Sequence, residues 1–393
     1  MRTIGVVTVG RSDYGVYLPV LRRIQAEPDL RLHLLAAGMH LSPRFGLTVQ
    51  AIERDGFAIG EKIEMLVASD SPEGIAKSVG LGILGFAQAY GRFRPDLLLT
   101  LGDRFEMYSA VVAALPFKIP VAHVHGGEIT RGAIDDSLRH SITKLSHLHF
   151  VATQEYARRV AQLGEEPWRI TVSGAPSLDN LQTLKLLSSQ EIEAAYGLRL
   201  DPPPLLATFH PVTLEYEQAG WQIGEFLSAL EAAAIPVVFT MPNADTGGSI
   251  IRNRISEYVR AHPSARSVEN LGTHAYFSLM AQAVAMAGNS SSGLIEAPSF
   301  GLPVVNIGAR QAGRVRGANV IDVEHDRASI LSGIKKAIQP TFRAGLRQMQ
   351  NPYGSGNAAE IIVEGLKTAT LDDRLIIKKF CDVPAVPERH RGG

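Results

Sequence analysis

Short apolar runs alternate along the chain with segments whose apolar positions recur at helical spacing. In the first half the runs predict strands at Ile4–Val9, Leu32–Ala37, Leu97–Thr100, Val121–Val124 and Leu148–Ala152. Helical spacing between them predicts helices over Tyr14–Gln25, Leu47–Arg54, Glu73–Gly91, Arg104–Leu115 and Gln154–Leu163. The second half repeats the rhythm, with strands at Leu205–Phe209, Val237–Met241, Val284–Ala287 and Val304–Ile307. Its helices fall near Gln218–Ala234, Gly248–His262, His274–Gln282, Ser291–Phe300 and Arg327–Ile338, with a last one over Asn357–Thr368. Strands this apolar, separated by helices, indicate an α/β chain with parallel sheets covered on both faces.

A chain of 393 residues exceeds the roughly 250–300 residues at which one core stops growing. The two series predict two Rossmann-like, doubly wound domains. Residues 1–175 form an N-terminal domain with the candidate acid/base groups, and 176–356 a C-terminal nucleotide-binding domain. The boundary falls around Ser173-Gly-Ala-Pro-Ser177. A second candidate, Pro202-Pro-Pro204, reads better as a stiff lead into the next strand. Residues 357–393 are a helix and a Pro-containing tail, expected either to pack back on the N-terminal domain or to be mobile. Ligands bind beyond the C-terminal ends of such strands. The motifs below fall there and would line a cleft between the domains.

Composition removes several alternatives. Lys+Arg and Asp+Glu number 39 each, so net charge is zero. No basic excess points to nucleic acid or to an anionic membrane. An anionic ligand would be held by locally placed arginines and helix ends. The single cysteine, Cys381, excludes a disulfide framework and a Cys-based zinc site within one chain. No apolar run reaches the roughly 18 residues of a transmembrane helix. The first residues lack the long apolar core and small-residue cleavage site of a signal peptide, so a cytoplasmic protein is expected.

The densest chemistry lies between His123 and His149. It reads His123-Val-His-Gly-Gly-Glu128, Ile134-Asp-Asp-Ser-Leu-Arg-His140 and His147-Leu-His149. So many groups able to exchange protons near neutral pH are hard to explain by packing alone. Residues two apart in a strand share a face, so His123 and His125 point the same way. Gly126 and Gly127 then let the backbone approach a ligand, and Glu128 follows. Two imidazoles and a carboxylate can bind zinc, but the nearby Arg139 would oppose a cation. Proton transfer is the stronger reading, and no metal is expected. Asp136 shares a helical face with Arg139 or with His140; the dull alternative is a capped helix with surface ion pairs. His147 and His149 border the next strand, and at least one is expected to be structural.

Other motifs stand at strand ends. Gly10-Arg-Ser-Asp-Tyr14 opens a helix whose N-terminus attracts phosphate, with Arg11 adding a charged fork. Its spacing is neither a dinucleotide fingerprint nor a P-loop. Gly38-Met-His40 places His40 similarly, on weaker grounds. Gly102-Asp-Arg104 brings Asp103 and Arg104 to the cleft. Phe209-His-Pro-Val212 adds His210, and Asn243 is placed to bond a base or ribose. Gly288-Asn-Ser-Ser-Ser-Gly-Leu-Ile-Glu296 sets hydroxyls, Ser290 and Ser291 among them, at a strand-to-helix turn suited to a diphosphate. Glu296 would grip ribose hydroxyls. Arg310 and Arg314 would neutralise phosphate charge. A nucleotide-sugar enzyme follows from the sum.

The same motifs carry a family resemblance. From about Thr3 to Thr368 the chain resembles the hydrolysing UDP-N-acetylglucosamine 2-epimerases of the sialic-acid-pathway group. The match rests on Arg11-Ser-Asp-Tyr14, Gly38-Met-His40, Gly102-Asp-Arg104, His125-Gly-Gly-Glu128, Ile134-Asp-Asp-Ser137, Arg139-His-Ser-Ile-Thr-Lys144, His210-Pro211, Gly288-Asn-Ser-Ser291 and Arg310-Gln311. The resemblance implies a GT-B architecture, no cofactor, and a homodimer or homotetramer. It implies uridine diphosphate binding by Arg11, Arg104, His210, Asn243, Ser290, Ser291, Glu296 and Arg310. Acid/base work would fall to Asp103, His125, Asp136 and their neighbours. Some relatives carry Glu at the position of His125, so the identity of the base stays open.

The reaction so implied releases UDP and N-acetylmannosamine from UDP-N-acetylglucosamine. A base removes the C2 proton as the C1–O bond breaks, giving a glycal; water then adds, and a proton returns to the other face. The alternative substrate is a 2,4-diacetamido-2,4,6-trideoxy sugar on UDP or GDP, as in legionaminic acid pathways. Rivals of other classes are a GT-B glycosyltransferase, a zinc hydrolase built on His123 and His125, and a non-catalytic sugar-nucleotide sensor. The first has less use for so many proton carriers.

Overall fold

The apolar runs become the central strands of two sheets in which every pairing is parallel. The computed structural model describes residues 1–243, 245–269 and 271–382. Among them the first sheet holds seven strands: β1 (Arg2–Thr8), β2 (Leu30–Ala37), β3 (Ile59–Ile63), β4 (Leu97–Leu101), β5 (Val121–Val124), β6 (Leu148–Val151) and β7 (Ile170–Val172). Their order is β3-β2-β1-β4-β5-β6-β7. The second sheet holds six: β8 (Leu205–Thr208), β9 (Val237–Thr240), β10 (Ala265–Val268), β11 (Ala285–Gly288), β12 (Val304–Ile307) and β13 (Val320–Val323), in the order β10-β9-β8-β11-β12-β13. Strand order reverses beside β1 in one sheet and beside β8 in the other, so both are doubly wound. The whole is the GT-B arrangement.

Four strands were not expected from the pattern: β3, β7, β10 and β13. All four are sheet edges. The central β4 is buried along its whole length, whereas β3 alternates partly buried and exposed positions and β7 is half-buried throughout. An edge strand is covered on fewer sides, so its residues need not be apolar and the run that marks a strand is missing.

Helix ends follow local chemistry. The helix Pro72–Arg92 starts with Pro72 in its first turn, and the Ser71 hydroxyl accepts the Gly74 N–H. The helix Arg11–Ala26 buries Tyr14, Tyr17, Leu21 and Ile24 at helical spacing against the first sheet. The expected helix Ser291–Phe300 is instead an α-turn, Ser292–Ile295, followed by a 3₁₀ turn, Ala297–Phe300. Pro298 has no N–H to continue the α-helical ladder.

Beyond the second sheet the chain returns to the first. Ala358, Ile362, Val363 and Leu366 of the helix Ala358–Thr368 join the core that contains β1 and the helix Arg11–Ala26. Arg169, fully buried, donates to Leu375 O at 2.9 Å, Arg374 O at 2.8 Å and His147 O at 3.2 Å, and pairs with Glu166 at 2.9 Å. Lys378 reaches the carbonyls of Lys144 and Ser146 and the Glu165 carboxylate. The rest of the tail, 383–393, lies outside the described residues. No helix among the described residues is long and apolar enough to cross a membrane.

Arg169 therefore ties the returning segment to the sheet edge. Arg169→Met should cost about 3 kcal/mol, because buried carbonyls lose their donor and Glu166 its partner. Urea unfolding would read the loss, and limited proteolysis should clip the segment after Thr368 first. An unchanged midpoint would contradict this.

Candidate active site

The C-terminal ends of β1, β4 and β5 face those of β8, β9, β11 and β12 across a cavity of about 300 Å³. Strand ends, the loops that follow them and the helix starts beyond supply its walls, as the doubly wound topology demands. Both reversal points open onto it.

The N-terminal wall is built around one unusual residue. His125 follows β5 with φ +64°, the left-handed region that non-glycine residues rarely occupy. Three contacts hold it there. Its N–H donates to Phe150 O at 3.0 Å, Arg139 donates to its carbonyl at 2.7 Å, and its Nδ1 lies 2.5 Å from Glu128 Oε1. Gly127, also left-handed, must lack a side chain, since a Cβ would sit 2.6 Å from Tyr156 O. Arg139 also bonds Asp103 Oδ2, which accepts the Thr130 hydroxyl at 3.2 Å as well. Burial alone would raise the Glu128 carboxyl, but Arg314, His125 and Arg139 outweigh it and hold the group well below the usual carboxylate range.

The helix Ile134–Leu145 turns a different face inward from the one expected. Asp135 and Arg139, four apart, are buried. Asp136 and His140 lie on the neighbouring, half-exposed face, 3.7 Å from each other, and do not line the cavity. Asp136 Oδ1 instead accepts the Thr130 N–H at 2.7 Å. Asp135 was not singled out from the sequence. Burial, with Asp103 and Asp245 facing it, pushes its carboxyl up to about 7.

The opposite wall is a nest of donors. Gly288 ends β11 with φ +136°; a Cβ there would strike Thr208 O at 1.8 Å. Asn289 Oδ1 accepts the His210 N–H at 2.7 Å, and its Nδ2 donates to His210 O at 2.8 Å. The Asn289 carbonyl accepts from Gln311 at 2.8 Å and Arg310 at 3.3 Å. Ser290, Ser291, Ser292, Asn243 and Glu296 complete this wall, and Ser177 donates to Glu296 at 2.5 Å.

Ion pairing sorts the arginines. Arg104 pairs with Asp245 at 2.5 Å and Glu106 at 3.2 Å; Arg139 pairs with Asp103; Arg314 pairs with Glu128 at 3.1 Å. Among the described residues, Arg11 and Arg310 have no carboxylate at ion-pair distance. Arg11 donates only to Met241 O, at 2.6 Å, and the buried Nε of Arg310 has no partner. Both line the cavity beside the serine turn.

His40 is not in the cavity wall. It is fully buried between the hydroxyls of Thr8 at 2.9 Å and Thr48 at 2.7 Å, and burial lowers it to about 3. Thr8 in turn donates to Asp13, whose carboxylate also caps the N–H groups of Val9 and Gly10. His40 thus braces the turn that carries Arg11. His123, likewise lowered to about 3 by burial, lies 2.8 Å from Gly102 O and supports the Asp103 loop from behind. His149 is buried on Glu165, and His147 Nδ1 accepts the Val121 N–H. Among the described residues no three His, Cys, Asp or Glu side chains are disposed to hold a metal ion.

Comparison with known proteins gives the family and the fold. A family model described as UDP-N-acetylglucosamine 2-epimerase matches residues 22–367. The chain belongs to that family. It is a nucleotide-sugar epimerase. A UDP-N,N'-diacetylbacillosamine 2-epimerase (hydrolyzing) of Legionella pneumophila is 38% identical over 379 residues, covering 96% of this chain and 99% of that one. A GDP/UDP-N,N'-diacetylbacillosamine 2-epimerase (hydrolyzing) of Campylobacter jejuni is 40% identical over 325 residues, covering 82% and 84%. The solved UDP-GlcNAc 2-epimerase of Neisseria meningitidis, bound to UDP-GlcNAc, shares the fold at TM-score 0.78 and 21% identity, covering 93% of this chain and 99% of its own.

The epimerase cavity has a pH-dependent cost. A carboxyl with a folded value raised from 3.8 to about 7 keeps its proton on folding. Its contribution to stability is complete below about pH 4 and is lost as pH rises through about 7. Asp135→Asn should therefore melt higher than the parent at pH 8 and much the same at pH 4. Equal melting temperatures at pH 8 would show that Asp135 is not held protonated.

Proposed function

We propose that this epimerase hydrolyses a nucleoside-diphosphate-linked 2-acetamido sugar with inversion at C2, and that its substrate is UDP-linked N,N'-diacetylbacillosamine. The observation that carries the reading is the division of the cavity: two unneutralised arginines and a serine turn on one side, proton carriers on the other. The Legionella pneumophila and Campylobacter jejuni relatives are epimerases of that sugar. UDP-N-acetylglucosamine is the second reading, favoured by the description of the family model.

In this reading Arg11, Arg310, Ser290 and Ser291 hold the diphosphate, with His210 and Arg104 beside them. Asn243 faces the base, and Glu296 with Ser177 faces the ribose. Cations around the diphosphate stabilise negative charge as the C1–O bond breaks. His125, its imidazole oriented by Glu128, takes the C2 proton. The products of this step are a glycal and UDP. Water adds its hydroxyl to C1, Asp135 supplies the proton that enters C2 from the other face and regains one from that water, and His125 returns the abstracted proton to solvent. Arg139, paired with Asp103, fixes the position of His125 through its carbonyl. The sum is nucleotide sugar plus water going to UDP plus the free C2 epimer, with no electron transferred.

Both nucleotide sugars should be offered in deuterium oxide. The expected result is UDP release with deuterium at C2 of a freed manno-configured sugar, faster for the diacetamido substrate. Release of a sugar that retains its original C2 hydrogen would overturn the mechanism; faster turnover of UDP-N-acetylglucosamine would overturn the substrate. His125→Gln, Asp103→Asn and Asp135→Asn should each lower kcat by about 10²-fold or more while still binding UDP in calorimetry.

A further inference from the structure

We infer that Arg314 is a positioning residue and not a phosphate ligand: it is the clasp by which the nucleotide-binding half holds the His125–Glu128 pair in its working arrangement. The inference rests on the proton-transfer role proposed for His125. Each of the three guanidinium nitrogens is engaged in the opposite half of the molecule. Nη1 lies 3.1 Å from Glu128 Oε2, Nη2 donates to Thr130 Oγ1 at 3.0 Å, and Nε donates to Ile129 O at 2.6 Å. Little is left to offer a diphosphate.

The engaged loop is the one that carries the dyad. Three arginines grip its carbonyls in turn: Arg139 on His125, Arg159 on Gly127, Arg314 on Ile129. The first two belong to the same half as the loop; Arg314 alone reaches it from across the cleft. It also takes the one Glu128 oxygen that His125 leaves, since Oε1 faces His125 and Oε2 faces Arg314. The segment bearing Arg314 is fixed at both ends. Arg310 and Gln311 bond the Asn289 carbonyl beside the serine turn. Val315 donates to the Tyr156 hydroxyl at 3.0 Å and accepts from the Tyr353 hydroxyl at 2.8 Å. One short segment therefore joins the serine turn to the loop of His125 and Glu128.

Glu128 is faced by His125 from its own loop, Arg139 from the helix Ile134–Leu145, Arg314 from beyond β12, and the neutral hydroxyls of Tyr156 and Tyr353. Without Arg314 the remaining arginine is Arg139, 3.9 Å away. A lost positive neighbour lets the coupled pair keep protons to higher pH. The form of the pair able to accept a proton then appears at higher pH.

Arg314→Met should move the acid limb of the kcat–pH profile up by about one unit, which is a roughly tenfold loss on that limb. UDP affinity should stay within about twofold of the parent, well inside a tenfold step. Arg314→Lys restores the charge and should recover most of the shift. Arg314→Gln, which keeps a donor for Ile129, carries the test if the methionine variant does not fold. A second readout needs no turnover: ring NMR titration of UDP-bound protein, with the His125 signal identified by its loss in His125→Gln, should show that signal titrating higher in Arg314→Met. Loss of UDP affinity with an unmoved limb would make Arg314 a phosphate ligand and overturn the inference, as would an unmoved limb and an unmoved ring titration. Failure of the parent to exchange deuterium sinks the proposed reaction instead, and the ring titration still decides the clasp.

Discussion

Charge buried between two lobes must be paired, and this one requirement organises the cleft. A buried guanidinium or carboxylate without a partner is costly, while a matched and hydrogen-bonded pair is tolerated. Here the partners come from opposite halves: Arg104 with Asp245, and Arg314 with Glu128. Separating the halves would strip Asp245 and Arg314 of these partners. The lobes are drawn together by their site, and not only by the mixed apolar patch of Tyr156, Val160, Leu294, Ile295 and Tyr353.

Pairing also decides what remains for a ligand. Once Arg104, Arg139 and Arg314 are matched with carboxylates, Arg11 and Arg310 are the arginines of the cavity wall left without a carboxylate at ion-pair distance among the described residues. The proposed diphosphate would supply the missing negative charge. The same logic separates the acids. Glu128, among cations, is held well below the usual carboxylate range, whereas burial and the neighbouring carboxylates push Asp135 up to about 7. Two carboxyl groups in one cavity are thus shifted in opposite directions, as the proposed elimination and reprotonation would use.

A bracing layer supports the cavity wall. His40, Asp13 and Thr8 brace the turn of Arg11; His123 braces Gly102. Burial keeps both imidazoles neutral, so they serve as fixed hydrogen-bonding groups and not as proton carriers. Such a layer matters because a site that must discriminate two faces of one carbon tolerates little play.

The sequence by itself determined the class of fold, the nine central strands and the loops that carry the chemistry, because a strand covered on both faces must be apolar and strand ends must carry the polar groups. It also determined that an anionic, sugar-bearing nucleotide was the ligand to expect, through the serine turn and the arginines at strand ends. Edge strands escaped it, since half-exposed residues such as those of β3 and β7 carry no apolar run. Tertiary structure alone decided which histidines face the cavity: His40, His123 and His125 all stand at strand ends, and only the left-handed turn at His125 brings one to the wall. It decided between Asp135 and Asp136 as well, because neighbouring positions in a first helical turn are about 100° apart and the inward direction depends on what the helix packs against. Contacts such as Arg314 with Glu128 join residues from different lobes, and no local pattern in either lobe encodes the distance between them.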